Sequence, residues 1–328
     1  NIRYGLDDRF RNNKWKNIFT GIDHFEHILT IWFGKSEQQK NELQYMFSAI
    51  PPNAYMMKPT KRAIVNWESS FDGLQVNELF SDPLKSEIVQ YGIPGDFYRG
   101  YNVSYTYIKN NRRMDEDTVQ NMLLMRRNRN ERDAKLLMLG VDTMVNKYSI
   151  GKEPLSHDAN FIVYRAADIH LCAAEAYTRW RFPQGGVVKP QPLQAYFLLN
   201  NGNYKNAEID KQLGVRGRVG FSDGDEAIQL RDIILRHDPV TNEVIGYYDF
   251  TNNLAKKQEY FIDMILEERA REMAFEGKRF FDLMREATRR DDPSYLANKV
   301  ASKFSGAKKE LIRNKLLDEN NWYINYFE

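Results

Sequence analysis

The sequence of 328 residues contains one cysteine, no long hydrophobic run and almost no excess of charge of one sign. Because Cys172 has no second cysteine to pair with, these residues cannot form an internal disulfide or a cysteine-rich metal site. The longest apolar run, Leu136 to Val141, is far shorter than the roughly 18 residues that a membrane-spanning helix needs. The sequence therefore predicts no helical crossing of a bilayer.

The charges are nearly balanced, with 47 Lys and Arg against 45 Asp and Glu, so the net charge is +2. The densest basic cluster is interrupted and flanked by acids, namely Arg126, Arg127 and Arg129 followed by Glu131, Arg132 and Asp133. A mixed cluster of this kind is typical of a solvated helix face rather than of a nucleic-acid contact. We therefore expect no nucleic-acid partner.

Aromatic residues are abundant at 13%, and hydrophobic residues reach 42%, which is enough to form a core. Many tyrosines and tryptophans also suit a surface that stacks ligands.

The first ten residues contain no initiating Met, no apolar signal segment and no small-residue cleavage site. This start is typical of a processed or partial chain.

The chain divides into two regions of different texture. Residues 1–115 are rich in Pro, Gly and aromatics, which predicts irregular structure with short elements. There, Thr60 is placed to cap a helix from Lys61 to Trp67, and alternation from Tyr101 to Tyr107 predicts a strand. Phe25 to Phe33 has strand character, although a helix is not excluded.

Residues 116–328 are predicted to be helical. Apolar spacing and Pro or Gly stops indicate helices over Asn160–Trp180, Pro192–Asn200, Asp225–Arg236, Leu254–Phe275 and Phe280–Ala287. Helix pairs of this length that are joined by short turns resemble stacked helical-hairpin repeats.

The highest density of charge lies between Ile265 and Arg285. On a helix, Glu267 and Glu268 would both reach Arg271, while Asp282 would reach Lys278 and Arg285. Exposed pairs add only about 0.2–0.5 kcal/mol each, so we interpret this density as a partly buried ionic network that fixes how two helices dock. A catalytic carboxylate pair is the alternative, but the nearby cations would keep Glu272 and Glu276 ionised, whereas a general acid needs a proton.

The same segment resembles the C-terminal signature of the SusD/RagB-like nutrient-binding outer-membrane lipoproteins of Bacteroidetes, approximately ILxERxxELxFEGxRxxDLxR. The matching residues, in order, are Ile265, Leu266, Glu268, Arg269, Glu272, Phe275, Glu276, Gly277, Arg279, Asp282, Leu283 and Arg285. Met273 stands where the family usually has Leu.

Three further motifs upstream resemble the family in the same order. They are Lys147-Tyr148, then Tyr164-Arg165-Ala166-Ala167-Asp168 continuing through Glu175, and finally Asn200 with Val215 to Gly220. The resemblance covers residues 147–285 well and residues 20–146 loosely. The N-terminal half of the family, with its lipid-anchoring cysteine, is absent from this chain, and the ending Trp322 to Phe327 departs from the family's common tail.

The resemblance implies a mostly α-helical, SusD-like fold of tetratricopeptide-like helix pairs with a loop-rich insertion that carries short strands. It implies a cell-surface protein, lipid-anchored in the outer membrane through an upstream cysteine, that captures oligosaccharides and delivers them to a SusC-like TonB-dependent transporter for carbohydrate uptake. It implies no catalytic residues and no cofactor. Peptide binding within the family and a tetratricopeptide-like protein–protein scaffold remain alternatives.

Ligand contacts are predicted from composition alone, in the irregular region. A flat ring stacks on a sugar while polar side chains bond its hydroxyls, and the stretch from Gly95 to Asn102 has both kinds of residue. The candidates are Trp67, Asp96, Tyr98, Arg99, Tyr101 and Asn102. The alternative is that these rings pack the core or contact the channel partner.

A metal site at His24 and His27 is disfavoured, because a strand over Phe25 to Phe33 would point the two side chains to opposite faces.

Overall fold

The structure is a computed structural model that describes fifteen stretches of the chain. They are residues 14–21, 23–34, 36–49, 56–68, 99–101, 103–114, 136, 138–150, 158–179, 181–184, 187–190, 192–199, 214–216, 233–237 and 244–323. About half of the structure is helical, and its strands are short. The mostly α fold with short strands that the sequence predicts is therefore confirmed.

The described helices lie mainly in the C-terminal part of the chain. They are α1 (Leu43–Phe47), α2 (Lys61–Glu68), α3 (Ala166–Arg179), α4 (Pro192–Leu199), α5 (Leu254–Glu272), α6 (Arg279–Arg290), α7 (Pro293–Ala301) and α8 (Gly306–Leu316). Two 3₁₀ segments cover Lys14–Phe19 and Glu319–Trp322.

The described strands form small antiparallel sheets. The strands are β1 (His27–Ile31), β2 (Tyr105–Lys109), β3 (Arg112–Arg113), β4 (Val141–Val145), β5 (Phe161–Arg165), β6 (Arg181–Gln184), β7 (Val187–Pro190), β8 (Ile233–His237) and β9 (Val244–Asp249). Strand β1 pairs with β5, β2 lies between β3 and β4, β6 pairs with β7, and β8 pairs with β9. Sheets this small need packing against other elements to be stable.

Several elements follow the sequence prediction closely. Helix α2 begins after Thr60, whose Oγ1 accepts a hydrogen bond from the backbone N–H of Ala63 at 3.2 Å, so the predicted cap is confirmed. Helix α4 occupies Pro192–Leu199, and β1 settles the open choice at residues 25–33 in favour of a strand. Most of the predicted helix at residues 225–236 lies outside the described residues.

Three predicted boundaries were wrong. The helix predicted from Asn160 starts only at Ala166, because Phe161–Arg165 forms β5 against β1. Ile233–His237, which overlaps the end of a predicted helix, forms β8 in a hairpin with β9. In both cases cross-strand pairing overrides a helical spacing of apolar residues. The strand predicted at residues 101–107 lies at Tyr105–Lys109 and is buried along most of its length.

The main hydrophobic core lies between α3, α4 and α5. Apolar residues at helical spacing on α5, such as Phe261, Ile265 and Leu266, pack against Leu171 and its neighbours on α3. A second core joins Trp67 of α2 to tyrosines of β2, and Phe275 packs against it. The predicted division into residues 1–115 and 116–328 stays a prediction, although residues from both sides of it share this second core.

Candidate functional site

The charged segment from Ile265 to Arg285 forms α5, the turn that follows it and α6. Glu268, Glu272 and Glu276 recur every fourth residue, which places them along one side of α5 and its C-terminal end. All three carboxylates are buried. Buried carboxylates must find cations and hydrogen-bond donors, and the surrounding elements supply both.

Arg99 joins the stretch before β2 to two of these glutamates. Its Nη1 atom lies 2.5 Å from Glu268 Oε1 and 2.8 Å from Glu272 Oε2, and all three side chains are inaccessible to solvent. Arg271 donates to the other oxygen of Glu268 at 2.8 Å. Burial alone would raise the pKa of Glu268, but Arg99, Arg271 and Arg216 outweigh it and lower that pKa to about 2.

Arg165, the last residue of β5, bridges Glu272 and Glu276. Its Nη1 atom lies 2.6 Å from Glu272 Oε1, while Nε and Nη2 donate to the two oxygens of Glu276 at 3.0 and 2.9 Å. Trp15 also donates from Nε1 to Glu272 Oε1 at 3.0 Å. Burial would lower the pKa of the Arg165 guanidinium, but the two glutamates raise it overall. The arginine therefore stays charged inside the protein.

Lys147 and Tyr148, which follow β4, hold the end of α5. Lys147 Nζ donates to Glu276 Oε1 at 2.7 Å and to the Ala274 carbonyl at 2.9 Å, and the Tyr148 hydroxyl donates to the Phe275 carbonyl at 2.7 Å. Burial lowers the pKa of Lys147 to about 8, although Glu276 acts to raise it. Ala274 and Phe275 lie in the turn after α5, so these donors satisfy backbone carbonyls of that turn.

A second ionic cluster docks α3 against α5 and α6. Arg269 lies 2.9 Å from Asp168 Oδ1 on α3 and 2.9 Å from Asp282 Oδ2 on α6. Arg285 reaches Glu175 on α3 at 2.6 Å. The helix-docking network predicted from the sequence is therefore present.

Some of the predicted pairs within the segment differ from those observed. Glu268 pairs with Arg271 as predicted, and Asp282 lies 3.4 Å from Arg285. Glu267 instead reaches Arg279 and Lys299, at 3.0 and 2.5 Å. Lys278 lies 3.4 Å from Asp168 rather than beside Asp282. Glu267 and Lys278 thus form ion pairs with residues of other elements rather than with the predicted neighbours on their own helix.

This arrangement favours a structural role for the signature acids. A general acid must hold a proton near neutral pH, whereas the pKa values of Glu268 and Glu276 both lie below the ordinary value of a glutamate.

Within the described ranges, no group of three or more His, Cys, Asp or Glu side chains is placed to hold a metal ion. In the same part of the chain, no helix combines the length and apolarity needed to cross a membrane.

The predicted ligand contacts that the structure describes lie inside the protein. Trp67 is 2% exposed and packs on Tyr105 at a ring distance of 5.6 Å, and Tyr101 is 3% exposed within the same core. Arg99 is wholly buried in the glutamate network. We therefore assign these three side chains structural roles here. Asp96, Tyr98 and Asn102 lie outside the described residues, so their ligand contact stays a prediction.

Exposed aromatic side chains occur where the sequence prediction did not place them. Trp32, Tyr164, Tyr247 and Tyr248 are all more than a third exposed. One signal for Tyr247 and Tyr248 was available, because the stretch from Gly246 to Asn253 combines glycine, aromatics, Asp and Asn in the same way as Gly95 to Asn102. Helices are predicted on both sides of that stretch, at residues 225–236 and 254–275, and no ligand contact is predicted between them.

A cleft lies beside the 3₁₀ segment at Lys14–Phe19. Its walls include Phe19, Tyr148 and Ile162, and its cavity volume is about 10 Å³, room for roughly one water molecule. Ligand pockets usually measure about 300–1,000 Å³ and carry several polar groups. This cleft is too small and too apolar to be the site for an oligosaccharide.

A comparison with known families agrees with the motifs and with the fold. A model of the SusD family matches residues 93–327, which is well over half of the chain. No curated protein and no solved structure gives a significant match. The match includes β2, the Lys147-Tyr148 pair, β5 with α3, and the charged residues of the α5–α6 network named above, whereas Trp15 lies outside it. The chain therefore belongs to the SusD family.

Proposed function

We propose that this protein captures oligosaccharides at the cell surface and delivers them to a SusC-like TonB-dependent transporter in the outer membrane. The family match over residues 93–327 carries the proposal. Proteins of this family bind nutrients rather than act as enzymes, and they are generally associated with the outer membrane and with a transporter.

The contacts of the signature segment support a binding role. Arg99 and Arg165 tie two separate parts of the chain to the same carboxylate, that of Glu272, through contacts from which water is excluded. Such a network holds a scaffold in one arrangement, which lowers the entropy lost when loops on it bind a ligand. Glu268 and Glu276 are held ionised in this network, which suits a protein that binds a nutrient and passes it on unchanged.

The mode of membrane attachment is part of the proposal. We propose that a cysteine upstream of this chain carries the lipid and keeps the protein on the outer face of the outer membrane. Mass spectrometry of the full-length protein purified from its host tests this directly. An acylated N-terminal cysteine, together with co-purification of a barrel-forming transporter, is the expected result. A full-length protein without acyl chains and without a barrel partner would overturn the proposed localisation.

The ligand class is tested by titration of the full-length protein. Tryptophan fluorescence is followed while maltohexaose, cellohexaose, xylohexaose, mannohexaose and a casein peptide digest are added in separate experiments. Saturable binding of one hexasaccharide is expected. Binding of peptides alone would overturn oligosaccharide capture and make the protein a peptide-binding member of the family. No binding of any of these probes would favour a scaffold that contacts other proteins.

A further inference from the structure

The hairpin of β8 and β9 carries an aromatic cluster at its base. The rings of Tyr248 and Phe250 are nearly parallel, at 12°, with centroids 5.8 Å apart. Tyr260 of α5 lies 5.2 Å from each of these two rings, tilted at 50° and 42°. Phe250 is buried, so two neighbouring aromatic side chains hold the Tyr248 ring in one orientation.

The Tyr248 ring is fixed in place and also reaches solvent. It is 41% exposed, although it belongs to a cluster whose inner member is buried. An aromatic ring at the surface that is already ordered loses little conformational entropy when a ligand stacks on it. This combination distinguishes Tyr248 from Trp67 and Tyr101, whose rings have no accessible surface of comparable size.

Polar groups follow the ring directly along the chain. Asp249 is exposed, but as the last residue of β9 it points to the opposite face from Tyr248 and does not border the ring. Asn252 is exposed in a turn with a φ of 60°. A pyranose ring needs both kinds of surface, an aromatic plane for its apolar C–H face and side-chain oxygens or amides for its hydroxyls.

We propose that Tyr248, supported by Phe250 and Tyr260, is a stacking site for a pyranose unit of an oligosaccharide, and that the exposed turn at Asn252 supplies a hydrogen-bonding side chain for its hydroxyls. The proposal rests on the proposed function, because it names a place on the chain where that ligand class binds. In sequence the site is separate from the stretch around Tyr98. It lies next to the N-terminal end of α5, whose C-terminal end carries the buried network.

The test compares four forms of the full-length protein: wild type, Tyr248→Ala, Tyr248→Phe and Tyr247→Ala. Tyr247 is the matched control, because it is the neighbouring tyrosine, is 65% exposed and points to the opposite face of β9. Each form is titrated calorimetrically with the hexasaccharide that wild type binds best among maltohexaose, cellohexaose, xylohexaose and mannohexaose. We expect Tyr248→Ala to weaken binding on the order of tenfold, and Tyr248→Phe and Tyr247→Ala to change it little.

Each outcome separates the proposals. If wild type binds a hexasaccharide and Tyr248→Ala binds it equally well, the stacking site is wrong while oligosaccharide capture stands. If Tyr247→Ala is the weakened variant, the site lies on the other face and the assignment to Tyr248 is wrong. If wild type binds none of the four sugars, both proposals fall.

Hydrogen exchange on wild type keeps the test independent of how the variants fold. Amides of residues 244–253 are expected to gain protection when the bound hexasaccharide is present at saturation. Unchanged exchange in this segment, with protection elsewhere, would overturn the site even if Tyr248→Ala proved unstable.

Discussion

Arg165 and Glu272 are 107 residues apart in sequence, yet their side chains meet at 2.6 Å with neither exposed to solvent. The contact joins the end of β5 to the side of α5. Breaking a buried ion pair by removing one partner leaves an uncompensated charge in the interior, which typically costs about 3–5 kcal/mol. The stability of the fold should therefore depend strongly on this contact.

Arg165→Met tests that dependence. We expect it to lower the free energy of unfolding by about 3–5 kcal/mol, measured by urea denaturation. Lys58→Met is the matched control: it removes a Lys–Asp142 pair of 3.1 Å whose side chains are about half exposed, so about 0–1 kcal/mol is expected. Equal losses in the two variants would contradict a central role for Arg165.

In the double variant Arg165→Met with Glu272→Gln, part of the lost free energy of unfolding should be recovered, since the buried Glu272 side chain is then neutral.

Acid should destabilise the protein through Glu268. Its folded pKa of about 2 lies below the ordinary 4.5, so its contribution to stability is complete above pH 4.5 and is lost as the pH falls towards 2. Glu268→Gln should be less stable than wild type at pH 7 and should lose less stability between pH 4.5 and 2. Denaturation midpoints across this range measure both effects.

The control for the acid experiment is Glu310→Gln, which changes an exposed glutamate on α8. It should keep the acid dependence of wild type. An acid dependence in Glu268→Gln as steep as that of wild type would show that other carboxylates, such as Glu267, dominate the loss.

The sequence allowed the local half of the network to be predicted, and not the long-range half. Glu268 and Arg271 are three residues apart on one helix, so their pairing follows from helix geometry. Arg99 and Arg165 both reach Glu272 from positions more than 100 residues away, and helix spacing carries no information about them. The family resemblance named Arg165, but it did not name the atoms that Arg165 contacts.

The predicted ligand residues show a similar limit. Trp67 and Tyr101 belong to an irregular, aromatic-rich region, and composition there does not distinguish a buried ring from an exposed one. The burial of these rings depends on β2 and on Phe275, which come together only in the folded chain. For the same reason, the strand pairing of β5 and β8 overrode the helical spacing of their apolar residues.

Two glycines should respond differently to alanine. A Cβ on Gly214 would lie 2.3 Å from the Leu199 carbonyl oxygen, so backbone would have to move. Gly277 has a φ of +75° and open space around a Cβ, so alanine there meets only the cost of a left-handed backbone, about 1 kcal/mol. We expect Gly214→Ala to lower the melting temperature clearly more than Gly277→Ala does.

Gly277→Asn refines this comparison. Asn tolerates the left-handed region better than Ala, so this variant should be more stable than Gly277→Ala. If Gly277→Asn were as damaging as Gly277→Ala, space rather than backbone angle would limit the turn between α5 and α6.

Tyr98 and Tyr101 are three residues apart and should separate binding from stability. Tyr101 packs among the rings of Tyr105 and Tyr107 at 6.2 and 5.9 Å, so Tyr101→Ala should cost about 3–5 kcal/mol, as large-to-small changes in cores do. Tyr98 is predicted from composition to contact the oligosaccharide, and Tyr98→Ala should keep the melting temperature of wild type while binding weakens on the order of tenfold.

Thermal melting and hexasaccharide titration of both variants give four values that decide between ligand contact and core packing for this stretch. A lower melting temperature with unchanged affinity in Tyr98→Ala would make Tyr98 a core residue like Tyr101, and the predicted ligand contacts around Gly95 to Asn102 would lose their aromatic member. Unchanged stability and unchanged affinity would place Tyr98 on a surface that the sugar does not reach. Only reduced affinity at wild-type stability supports a ligand contact at Tyr98. In that case the neighbouring residue Arg99, through its buried pairs with Glu268 and Glu272, anchors the ligand-binding stretch to α5.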